Sequence, residues 1–164
     1  MTDAIQSQLP HRSPFLHVDR VLIREFGVRV VAVKLVSHSD PGLGGTSGPA
    51  VSVPGPLLLE MLAQAGGFLE PDSLHGQEIL LAGVQEAQFH ASVFVGDRLE
   101  LEVRPDAAFG PISRIRGEIR RDGSVICSAN LLLRKGSPEA GSARSGRGGT
   151  GVGAQRETPG EQKS

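Results

Sequence analysis

One cysteine, Cys127, stands in 164 residues, so neither an intrachain disulfide nor a cysteine metal cluster can form. A free thiol of this kind is expected to be an inert buried side chain on a strand, in a cytoplasmic protein. Long apolar runs are missing too. Leu57 to Leu59 and Leu131 to Leu133 are far short of the roughly 20 residues that cross a bilayer. Residues Met1 to Gln8 have neither the basic start nor the apolar stretch of a secretory signal. There is no excess of charge of one sign: a formal net charge of −1 argues against a general electrostatic binder of nucleic acid or anionic membrane. The histidines are scattered without ligand spacing, so no metal site is expected. Gly42 to Gly48 is glycine-rich, but it has no lysine and no helix directly after it, which excludes a phosphate-binding loop. No cofactor is implied.

What the chain does have divides into a domain and a tail. From Gly136 onward glycine, serine, arginine and glutamate dominate and Val152 is the only large aliphatic residue, so residues 136–164 are expected to be a disordered tail behind a single domain, 1–135. Within the domain, Leu16 to Phe26 and Val28 to Ser37 read as strands rich in β-branched residues, with Gly27 as a tight turn between them. His38 to Val53 is a long loop. Pro54-Gly55-Pro56 opens an apolar helix that should reach about Leu69 and stop before Pro71, with Pro56 at a position where a missing N–H costs nothing. Strands follow at Glu78 to Phe89, Arg98 to Ala107, Ile112 to Arg121 and Ser124 to Arg134, the last two joined by the hairpin signal Asp122-Gly123. Alternation from Leu99 to Arg104 gives the sheet one wet face. An α+β fold results, an antiparallel sheet of five to six strands wrapped around one long apolar helix, which is the hotdog arrangement.

Glu60 is the only carboxylate in that helix, within Leu57-Leu58-Leu59-Glu60-Met61-Leu62-Ala63-Gln64-Ala65. An ionised side chain among apolar neighbours is costly unless paired, which makes it a candidate for chemistry.

Leu9-Pro10-His11-Arg12-Ser13-Pro14-Phe15-Leu16-His17-Val18-Asp19-Arg20-Val21 resembles the opening of the FabZ-type (3R)-hydroxyacyl-acyl carrier protein dehydratases. The similarity continues through Ala32 to Ser37, Pro54-Gly55 to Gln64, Phe89, and Gly96-Asp97-Arg98-Leu99-Glu100-Leu101-Glu102-Val103. The resemblance implies a dimer whose site is shared between subunits, a helix glutamate of one chain facing a loop histidine of the other. Together they take an α proton from a 3-hydroxyacyl thioester and deliver a proton to the departing hydroxyl. Glu60 falls on that glutamate. Gly55 falls on the glycine whose N–H polarises the thioester carbonyl, as a helix-start amide can. Gln64, one turn after Glu60, is expected to orient the carboxylate, Pro14, Phe15 and Leu16 to line the acyl passage, and Pro54 and Thr46 to border the substrate with Gly55. The loop departs from the family: an ungapped alignment puts Thr46 where the histidine belongs. Threonine is no base at neutral pH, and losing a positioned acid or base typically costs about 10²- to 10⁴-fold in rate.

The resemblance therefore implies a dehydratase-like protein acting on acyl thioesters of acyl carrier protein or coenzyme A, in fatty acid or related lipid or polyketide biosynthesis. It acts as a homodimer, or as the glutamate-supplying subunit of a heterodimer with a histidine-bearing partner. Two alternatives stay open: a thioesterase working through Glu60, and a non-catalytic acyl-binding or assembly subunit.

Overall fold

The computed structural model describes residues 15–40, 43, 51–70 and 78–136. Two strands, β1 (Arg20–Glu25) and β2 (Arg29–Leu35), precede a helix, α1 (Gly55–Gly67). Four longer strands follow: β3 (Glu78–Phe89), β4 (Arg98–Phe109), β5 (Ile112–Arg121) and β6 (Ser124–Gly136). They form one antiparallel sheet in the order β1-β2-β4-β5-β6-β3, so β3 lies at an edge although it is third in the chain.

Strand alternation decides what the helix meets. Leu99, Leu101 and Val103 of β4 are fully buried, while Glu100 and Glu102 between them point to the wetter face. In register with them on β2 are Val30, opposite Val103, and Ala32, opposite Leu101. Ile115 and Ile119 of β5 and Leu131 and Leu133 of β6 complete the core floor, on which Leu58, Met61, Leu62 and Ala65 of α1 pack. The approach is close on both sides: a Cβ at Gly117 would meet Leu62 Cδ1 at 2.9 Å and one at Gly66 would meet Ile115 Cδ1 at 2.6 Å, so a larger residue at either place would displace a core side chain. The opposite face of α1 is less covered, since Leu57, Leu59 and Glu60 are only half-buried within one chain.

Turn chemistry follows the sequence. Asp122 and Gly123 have φ of 51° and 81°, the paired positive values of a two-residue hairpin. At Gly27, φ is 65° and Val28 N–H bonds to the Glu25 carbonyl at 2.9 Å. The helix ends at Gly67, two residues before the expected stop, because Phe68 and Leu69 close a tighter turn onto Ala65 and Gly66. β1 starts at Arg20 and not at Leu16. The physical reason is that the chain ahead of it bonds elsewhere, with Phe15 and His17 tied to the Gln64 side chain through their backbones. β6 runs to Gly136, and the tail from residue 137 onward lies outside the described residues.

Candidate active site around Glu60

Three of the site residues read from the sequence share one helix. Pro54, extended at φ −60° and ψ 141°, precedes the first turn, and its carbonyl accepts the Leu57 N–H at 3.0 Å. Pro56 contributes no N–H, which makes Gly55 the amide at the helix start. The Phe89 ring lies against Gly55, so that a Cβ there would come within 3.0 Å of Phe89 Cζ. The ring can pack this closely on the helix start only because residue 55 has no side chain.

Glu60 sits in the middle of the helix and is half-buried. Gln64 Nε2 donates to Glu60 Oε1 at 2.9 Å. The same Nε2 donates to the Phe15 carbonyl at 2.8 Å, and Gln64 Oε1 accepts the His17 N–H at 2.8 Å. Gln64 is thus 3% exposed with both ends of its amide in use, and it cannot rotate without losing buried hydrogen bonds. It fixes one carboxylate oxygen of Glu60. Phe15 enters through its backbone, while its ring is 65% exposed in a single chain. Thr46 lies outside the described residues, as do His11 and His75. His38 and His90 are both exposed.

Two residues escaped the sequence reading. His17 is buried and anchors Gln64 by its backbone; nothing in its side chain announces a main-chain role. Lys34 is also buried, on the core-facing register of β2 with Leu99 opposite, and the period-2 pattern Val30, Ala32, Lys34 was the available signal. Cys127 is buried as expected, and desolvation pushes its thiol up to about 11. Among the described residues no group of His, Cys, Asp and Glu is placed to hold a metal ion. No helix is long and apolar enough to cross a membrane, the described residues alone being considered. A cavity of about 540 Å³ opens at the other end of α1, between Gly66, Leu69, Ile115 and Leu133, with the Glu70–Lys135 ion pair (2.8 Å) at its wall. Glu60 does not line it.

The architecture is that of the hotdog proteins. The chain superposes with a TM-score of 0.67 on a subunit of the dehydratase heterocomplex ApeI:P from Xenorhabdus doucetiae, at 20% identity over 80% of this chain and 90% of that one. A hypothetical thioesterase with coenzyme A from Streptococcus pneumoniae gives 0.60 at 13% identity, covering 84% and 98% of the two chains. At such identities the likeness is one of fold. No family model matches the sequence. Curated relatives do: the 3-hydroxyacyl-[acyl-carrier-protein] dehydratase FabZ of an Anaeromyxobacter strain is 40% identical over 133 residues, 78% of this chain and 85% of the relative. The enzyme of the same name from Magnetococcus marinus is 36% identical over 132 residues, 78% and 86% of the two chains. The chain belongs to the FabZ dehydratase family.

Proposed function

We propose that the chain is a dehydratase-like subunit acting on (3R)-hydroxyacyl thioesters of acyl carrier protein, in fatty acid or a related lipid or polyketide biosynthesis, with Glu60 as the reacting carboxylate. The observation that carries this reading is the spacing of Gly55, Glu60 and Gln64 along one helix, with Gln64 holding one oxygen of Glu60. In dehydration a Cα–H bond and the Cβ–OH bond break, a C=C bond forms and water leaves. Negative charge gathers on the thioester oxygen, where the Gly55 N–H and the positive end of the helix stabilise it. Glu60 exchanges the proton with the departing or arriving hydroxyl. The second acid–base group, which Thr46 does not provide, comes from a histidine-bearing subunit of the same family. Pro54 and Phe15 border the acyl chain.

A dimer fits the free surfaces. β3 is twelve residues long and forms an open edge with Leu80, Val84 and Phe89 exposed, and an edge of that length is a template for a second chain. Hydrolysis is the second reading, because Glu60 with Gly55 is enough in outline to activate water on a thioester without an imidazole.

The test is incubation with a 3-hydroxyacyl thioester and, separately, the matching enoyl thioester, following enoyl absorbance and free thiol together. Hydration or dehydration lost in Glu60→Gln supports the proposal. Thiol release lost in Glu60→Gln selects the thioesterase. Silence from the native chain, alone and mixed with a histidine-bearing family member, rejects both.

A further inference from the structure

A lysine on the core face of a strand needs a reason, and Lys34 has two. Its Nζ, 4% exposed, donates to Asp40 Oδ1 at 2.7 Å and to Asp19 Oδ1 at 3.2 Å. Each carboxylate spends its other oxygen on the backbone: Asp19 Oδ2 accepts the Leu35 N–H at 2.6 Å, and Asp40 Oδ2 accepts the Ser37 N–H at 2.9 Å. One ammonium therefore fixes two chain segments against the end of β2. Asp19 closes the segment 15–19, whose Phe15 and His17 backbones hold Gln64 and through it Glu60. Asp40 is the last described residue before positions 41 and 42, and its carbonyl accepts the N–H of Leu43, which is itself buried in the core. Thr46 follows three residues later.

We propose that Lys34 is a positioning residue for Glu60: through Asp19 and Asp40 it holds the segment that orients Glu60 in register with Asp40 and Leu43 beyond the end of β2. The inference rests on Glu60 being the reacting carboxylate. Removing the ammonium leaves the half-buried Asp40 and the exposed Asp19 carboxylates without their shared counter-charge, and the less firmly held segments move apart.

The experiment is site-resolved amide hydrogen exchange on the full chain, native, Lys34→Met and Asp40→Asn, with kcat and KM measured on a 3-hydroxyacyl thioester beside it. In Lys34→Met the Leu43 and His17 amides are expected to exchange about 10²-fold faster while Ile119 and Leu131 in the middle of the sheet keep their native rates. In Asp40→Asn only Leu43 should accelerate. Where the chain turns over, Lys34→Met lowers kcat by more than about tenfold with KM changed much less, as expected for a misplaced Glu60. Equal acceleration at all four amides, or none at Leu43 and His17, overturns the proposal. Should Lys34→Met fail to fold, Asp40→Asn alone decides: acceleration confined to Leu43 supports it and its absence rejects it. Absence of turnover both alone and mixed with a histidine-bearing family member contradicts the dehydratase reading but leaves the exchange pattern, and the coupling it measures, intact.

Discussion

Gln64 donates from a single nitrogen to both the Glu60 carboxylate, at 2.9 Å, and the Phe15 carbonyl, at 2.8 Å. One turn of helix thus places an amide between the candidate acid and the segment leading into β1. The amide has no freedom to turn, because its oxygen is held by the His17 N–H.

Replacing Gln64 with leucine removes that clamp and leaves the buried His17 N–H and Phe15 carbonyl without it. Each such loss costs about 1–3 kcal/mol, so Gln64→Leu is expected to lower the urea midpoint with little change in slope. Turnover should fall by about tenfold or more because Glu60 is no longer oriented. Stability lost without any change in turnover would assign Gln64 to packing alone.

The contact of Leu62 with Gly117 leaves no room for a side chain on β5 at that point unless the buried Leu62 shifts. Gly117→Val is expected to destabilise the fold by about 1–3 kcal/mol through overpacking, measured by equilibrium unfolding in urea.

Cys127 gives a pH dependence of defined sign. Burial raises its thiol to about 11 in the fold, so the folded chain holds the proton more tightly than the unfolded one. The associated stability is complete below about pH 8.5, the ordinary thiol value, and is lost as pH rises towards the folded value. Alkylation of Cys127 at pH 8 should therefore be slow in the native chain and fast in urea.

If β3 is the seam between two copies, charge on its exposed apolar side chains will open it. Leu80→Glu with Val84→Glu is expected to convert a dimer to a monomer in sedimentation velocity while the circular dichroism of the sheet is kept. An unchanged sedimentation coefficient would place the interface elsewhere.

The strands were legible because alternation and turn chemistry are local: Leu99 to Val103 and Asp122-Gly123 declare themselves within a few residues. The same holds for α1, whose apolar character and Pro54-Gly55-Pro56 start are continuous in sequence. What was not legible depends on partners far along the chain. The start of β1 moves from Leu16 to Arg20 because Gln64, 47 residues beyond His17, competes for the backbone. The buried place of Lys34 comes from the register against Leu99 together with Asp19 and Asp40, the latter reached only when the chain beyond β2 folds back. At the site, Glu60, Gln64 and Gly55 could be named in advance since they lie on one helix. The structure adds the Phe89 ring over Gly55, a contact made between α1 and the end of β3.

The measurement that bears most directly on Glu60 is the rate at which the chain interconverts a 3-hydroxyacyl and an enoyl thioester, taken for the native chain, Thr46→His, and Thr46→His combined with Glu60→Gln. With Glu60 as the reacting carboxylate, little turnover is expected of the native chain alone, a gain of about 10²-fold or more on supplying the imidazole, and loss of that gain when Glu60 becomes glutamine, which is the role assigned to it. A gain in Thr46→His that survives Glu60→Gln, or native turnover that Glu60→Gln leaves untouched, would contradict it.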